Sequence, residues 1–317
     1  MRHSHDAGSN RCGWLLIPRS ACRQAFLLPW CIAALAVVMT TTGHVCGDEP
    51  GAGPTSVAEQ PELGKVITRT YQFKEAAKEM QYALYLPTTY DGSRSFPLIV
   101  ALHGLGSNPW QVINYPGLTA GAEKHGYIVV APMGYNQRGW YGSRGTGGGR
   151  GDDPQNLGEL SEQDVMNVLR IVRDELQIDG DRIFLYGHSM GGGGSLHLAM
   201  KYPEIWAGMT LIAPAAWTGQ ERLKNARQIP AFIVQGDQDR LVSVKLVRDW
   251  VRRMQELEMD VDYREIAGGG HLLVAWQEFD GIFEFYNKRK RGMPTVAPTA
   301  VPDADADAPD ADAKESP

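Results

Sequence analysis

The sequence predicts an α/β protein with a mostly parallel sheet and helices on both faces. Three observations carry this. Short apolar runs alternate with helix-length amphipathic stretches from residue 66 to residue 286. The runs at 97–102 and 127–131 are apolar almost throughout, as strands buried on both faces are. One run, 182–186, passes through a glycine-rich turn straight into a helical stretch, 195–200.

In order, 66–73 and 80–86 carry alternating apolar positions and read as an antiparallel pair. Strand 97–102 follows a turn at Asp91-Gly92, then a helix at 117–125 and strand 127–131. Residues 134–160 interrupt the alternation. Between Gly139 and Asp153 there are seven glycines, together with Trp140 and Tyr141. A loop this long at a sheet edge shapes a binding site more often than it merely connects. Residues 165–176 form an amphipathic helix, with Ser161 as its expected cap. After the central turn come strand 208–213, a loop with Trp217, strand 231–234, helix 243–257, strand 261–266 and a last helix at 271–286.

Composition sets bounds. The chain has 317 residues, 43% of them hydrophobic and 21% charged, as in a globular protein with a sizeable core. A net charge of −6 gives no reason to expect nucleic acid. The four cysteines, Cys12, Cys22, Cys31 and Cys46, all precede residue 47, so the predicted domain has neither a disulfide framework nor a cysteine metal site. Residues 1–47 read as an export signal: four arginines, then an apolar stretch at 26–39, too short for a spanning helix of ~20 residues. A membrane anchor, or a lipoprotein acylated at Cys46, is the alternative. Residues 48–63 read as a flexible linker, 64–288 as the α/β domain, and 289–317 as a disordered Ala/Pro/Asp-rich tail. The Asp-Ala repeat at 303–307 lacks the glycine and distal glutamate of a calcium loop.

The chemistry concentrates at Gly187-His188-Ser189-Met190-Gly191-Gly192. A Gly-x-Ser-x-Gly turn between a strand and a helix is similar to the nucleophile elbow of the α/β-hydrolase fold, where glycines let strand and helix approach and the serine projects above the sheet. A serine hydroxyl needs a base, and the base an orienting carboxylate. Two histidines follow Ser189. His197 lies within the next helix and cannot turn back, which leaves His271 in its glycine loop. The loop after strand 231–234 offers two acids, Asp237 and Asp239. The oxyanion donors expected from this fold are the backbone N–H groups of Met190 and, in His103-Gly104-Leu105-Gly106, of Leu105. His103 and His188 are expected to pack rather than react. Trp140, Tyr141 and Trp217 are candidate walls for the substrate.

Together, the motifs His103–Gly106, Gly187–Gly192, Gly236-Asp237-Gln238-Asp239 with Val242, and Gly269-Gly270-His271 resemble secreted esterases of the polyhydroxybutyrate-depolymerase-like and feruloyl-esterase-like group, with dienelactone hydrolases and prolyl-oligopeptidase-type domains as relatives. The resemblance spans about residues 66–287. It implies Asp239 as the acid and carboxylic ester hydrolysis without cofactor or metal, on a small-molecule or polymer-linked ester. A serine peptidase with the same three residues is the rival reading, and a non-catalytic binding protein on the same fold is the second rival.

Overall fold

The computed structural model describes residues 62–217 and 219–293. The stretch read as an export signal, with the four cysteines, all but the end of the expected linker, and the residues beyond 293 lie outside the described residues.

Eight strands form one sheet: β1 (Val66–Phe73), β2 (Lys78–Tyr85), β3 (Phe96–Leu102), β4 (Ile128–Pro132), β5 (Ile178–His188), β6 (Gly208–Ile212), β7 (Ala231–Gly236) and β8 (Val261–Ile266). Their spatial order is β1-β2-β4-β3-β5-β6-β7-β8. β1 and β2 pair antiparallel, as do β2 and β4, and from β4 onward every pairing is parallel.

The side-chain period of two splits the central strands between two cores. In β3, Leu98, Val100 and Leu102 join one core, and Ile99 and Ala101 join the other. In β5, Ile183 and Leu185 face one way, Phe184 and Tyr186 the other. The helices divide in the same way. On one face α3 (Leu157–Glu175), α4 (Met190–Lys201) and α5 (Val244–Glu256) contribute Val165, Leu198 and Val247. On the other, α1 (Pro109–Ile113), α2 (Leu118–His125) and α6 (Phe279–Asn287) contribute Val112, Leu118 and Phe283. Covering both faces lets the parallel strands be apolar throughout. Among the described residues, no helix is long and apolar enough to cross a membrane.

At four places the structure adds to or departs from what the sequence predicts. First, the amphipathic helix starts at Leu157, well before 165, and Ser161 lies buried inside it instead of capping it; its Oγ accepts from the Tyr141 N–H at 3.0 Å. Second, the last helix is broken: a 3-10 turn, Leu273–Trp276, precedes α6. The His271 carbonyl is engaged by the His188 ring. Third, α1 was not anticipated, although Asn108-Pro109 is a start signal: Asn108 Oδ1 accepts from Gln111 N at 3.0 Å. Fourth, the basic run 288–291 overlaps the tail expected over 289–317, and two of its arginines are bound to the domain. Arg289 pairs with Asp260 at 2.8 Å, and Arg291 pairs with Asp181 at 2.6 Å and donates to the Glu204 carbonyl.

The glycine-rich segment is tied down at several points. Gly134 N donates to Asp164 at 2.6 Å, Arg138 Nε to Asp153 at 2.7 Å, and the amides of Gly158 and Glu159 to Gly147 and Thr146.

Candidate active site

Parallel strands place their C-terminal ends on one edge, and loops from that edge converge. Leu105 follows β3, Ser189 follows β5, Trp217 follows β6, Asp239 follows β7 and His271 follows β8. Except for Asp239, all of these line one cleft of about 940 Å³.

Ser189 sits between β5 and α4 with φ 56° and ψ −115°. A non-glycine residue here is strained by ~1–3 kcal/mol and must be held by its surroundings. Its N–H donates to the Ile212 carbonyl at 2.8 Å, and its own carbonyl accepts from Ala215 N at 2.9 Å. The flanking glycines are required for space. A Cβ on Gly187 would lie 2.1 Å from the Gly191 carbonyl oxygen, and one on Gly191 would lie 2.1 Å from that of Leu102.

His271 Nδ1 lies 2.7 Å from Asp239 Oδ2, and the Asp239 side chain is fully buried. The other Asp239 oxygen accepts from Leu241 N at 2.8 Å and Val242 N at 2.9 Å. Burial opposes the Asp239 charge, but these amides and the His271 ring outweigh it and hold the carboxyl below its ordinary range. His271 and Ser189 line the same cleft. Asp237 turns elsewhere: it accepts from Gly268 N at 2.8 Å, joining the two loops.

Met190 opens α4, and Leu105 is 58% exposed at the cleft. Gly104 is close enough to Ser189 that a Cβ there would lie 3.5 Å from the serine's Cβ. Among the described residues, neither the Leu105 nor the Met190 N–H has a hydrogen-bond acceptor.

Trp140 and Trp217 both line the cleft, with ring centroids 5.7 Å apart. Tyr141 does not. It is fully buried, its hydroxyl donates to the His103 carbonyl at 3.2 Å, and its ring backs onto Gly194, where a Cβ would lie 2.5 Å from it. A reversal at positive φ in both Trp140 and Tyr141 sends the neighbours to opposite sides.

His103 packs beneath its loop, fully buried, near the carbonyls of Gly104 and Met133. His197 lies on its helix against Glu162 at 2.6 Å. His188 does more than pack. Its Nδ1 lies 2.8 Å from the Tyr115 hydroxyl and its Nε2 3.0 Å from the His271 carbonyl. A carbonyl only accepts, so Nε2 carries the proton and Nδ1 accepts from Tyr115. Burial keeps this ring neutral, pushing its pKa down to about 4. Tyr115, Arg144 and Trp276, which also line the cleft, gave no signal in the sequence beyond their residue types. Among the described residues no group of three or more His, Cys, Asp or Glu is placed to hold a metal ion.

The comparisons with known proteins come from both sequence and structure. Residues 74–286 match the family model Esterase, described as "Putative esterase". The S-formylglutathione hydrolase of Rattus norvegicus is 31% identical over 147 residues, covering 43% of this chain and 52% of that protein. Feruloyl esterase C of Emericella nidulans is 33% identical over 152 residues, covering 46% and 50%. The chain thus spans about half the length of the curated relatives it matches. A ferulic acid esterase structure from Anaeromyces mucronatus superposes with a TM-score of 0.58 at 18% identity, covering 73% of this chain and 92% of that one. An S-formylglutathione hydrolase structure from Agrobacterium tumefaciens does so with 0.57 at 18%, covering 71% and 95%. At such identities the superpositions establish the α/β-hydrolase fold, and with the family match over two thirds of its length, the chain belongs to the esterase family.

Proposed function

We propose that the chain hydrolyses carboxylic esters through an acyl-enzyme. The observation that carries this is the buried Asp239–His271 pair, joined at 2.7 Å, opening on the same cleft as the strained Ser189. Ser189 Oγ attacks the ester carbonyl while His271 Nε2 takes its proton. The tetrahedral oxygen is met by the N–H groups of Leu105 and Met190, the latter at a helix N-terminus where negative charge is favoured. His271 then returns the proton to the leaving alkoxide, the carbon–oxygen bond breaks, and water enters by the reverse sequence. Asp239 keeps Nδ1 protonated and stabilises the imidazolium. The family match and the esterases among its relatives support the ester over the peptide bond. Export by residues 1–47 rests on composition alone; N-terminal sequencing of the secreted protein tests it.

The test is Ser189→Ala, His271→Ala and the double variant, assayed on short-chain aryl esters and on matched peptide anilides. Each single change should lower kcat by ~10⁴, and the double should be scarcely worse, because the residues act as a unit. Multiplicative losses would overturn the assignment, and a preference for the anilides would give the site to a peptidase.

A further inference from the structure

We infer that the cleft takes an ester whose non-reacting part carries a carboxylate, and that Arg144 is the specificity-determining residue that binds it. This rests on the esterase reading above.

The first observation is charge. The chain as a whole carries −6, yet the described residues that line the cleft include three arginines, Arg138, Arg144 and Arg150, and neither an aspartate nor a glutamate. Arg138 is neutralised by Asp153, with Nε at 2.7 Å and Nη2 at 2.9 Å. Among the described residues, no carboxylate pairs with the side chain of Arg144 or Arg150. An opening lined this way concentrates anions.

The second observation is geometry. The Arg144 guanidinium lies 3.4 Å from the ring centroid of Trp140 and 5.0 Å from that of Trp217. Stacking uses the face of the planar group and leaves its edge of N–H donors available, the edge that matches a carboxylate with two parallel hydrogen bonds. Burial, followed by the neighbouring Arg150 charge, disfavours the protonated form of Arg144, and the opposite charge of a bound anion would offset both. The same two indoles offer apolar walls to the remainder of the substrate.

The bland alternative is that Arg144 only props the two indoles apart. A prop lost would change neutral and charged substrates alike, whereas a carboxylate site would separate them.

The experiment compares esters that differ by one charge. In the first pair the charge is in the acyl half: para-nitrophenyl hemiglutarate against para-nitrophenyl pentanoate. In the second it is in the alcohol half: para-carboxyphenyl butyrate against its carboxamide. In at least one pair the acid should be favoured by ~10-fold or more in kcat/KM, mostly through KM. The preference should shrink as salt rises from about 0.05 to about 0.5 M. Arg144→Gln should remove it, and Arg144→Lys should restore only part, because an ammonium lacks the planar fork. No preference in either pair, or a preference that survives Arg144→Gln, overturns the inference. If Arg144→Gln does not fold, the wild-type pairs and their salt dependence decide alone. Neutral esters cleaved without preference sink this inference and leave the esterase reading standing. Should no ester be cleaved, the esterase reading fails separately, and equilibrium binding of para-carboxyphenyl butyrate to Ser189→Ala, against Ser189→Ala with Arg144→Gln, still tests the arginine.

Discussion

His188 Nε2 donates to the backbone carbonyl of His271 across 3.0 Å, and the two imidazoles lie 5.0 Å apart, centroid to centroid. The residue beside the proposed nucleophile thus holds the main chain of the proposed base. Tyr115 fixes the tautomer that makes this possible, and Trp276 packs edge-on against Tyr115 at 5.8 Å.

His188 is therefore expected to act as a positioning residue. His188→Ala should lower kcat by ~10–100-fold with KM changed little, since a small displacement of a reacting group can cost that much. His188→Gln, which can still donate to the carbonyl, should recover most of the loss. Tyr115→Phe should have a smaller effect in the same direction. Steady-state kinetics on one neutral aryl ester checks all three, and a loss lying mainly in KM would rule out positioning. Because burial pushes the His188 pKa down to about 4, it should add no ionisation to the kcat profile between pH 5 and 8.

The two candidate acids should separate cleanly. Asp239→Asn removes the acceptor of the His271 Nδ1 proton and should lower kcat by ~10³–10⁴. Asp237→Asn touches only the amide of Gly268 and should cost less than ~10-fold. Equal losses would mean that His271 can turn to either.

Glu162 predicts a pH dependence of stability away from the cleft. Its carboxylate is met by His197 at 2.6 Å, Lys201 at 2.5 Å and Tyr202 at 2.6 Å. Burial raises its pKa, but the three hydrogen bonds outweigh this and bring it down to about 2 from 4.5. A carboxyl whose folded pKa is depressed contributes stability that is full above its unfolded value and lost as pH falls through the folded one. With solvent screening discounting the ~1.4 kcal/mol that each pKa unit is worth, Glu162→Gln should be destabilised by about 1–2 kcal/mol at pH 7, and the gap should close between pH 4.5 and 2. Denaturant titrations across that range check it, and a gap constant with pH would contradict it.

The domain's C-terminal edge can be tested by trimming. A chain of residues 62–293 should fold and keep the proposed ester hydrolysis. Ending at 287 instead removes Arg289 from Asp260, whose side chains are only 17% and 10% exposed, and removes the Arg291 bonds. Leaving the buried Asp260 charge unpaired should cost about 3 kcal/mol, read as a lower denaturation midpoint. Equal midpoints would return the basic run to the tail.

Some of this protein was determined by the sequence alone. The alternation of strands and helices, the turn around Ser189 and the place of His197 within the helix that follows it are local: glycine spacing, side-chain period and chain order do not depend on what lies across the fold. Other features were decided only by tertiary structure. Asp237 and Asp239 are two residues apart and chemically alike, and only the loop's hydrogen bonds turn one towards His271 and the other towards Gly268. Trp140 and Tyr141 read alike as aromatic neighbours, but the backbone reversal between them sends one to the cleft and buries the other. Tyr115 meets His188 across 73 positions, and Arg144 meets Trp217 from a different loop. The physical reason is the same in each case. Local pattern fixes which element a residue belongs to, but side-chain direction and long-range partners follow from strand order and loop closure, which no nearby residue encodes.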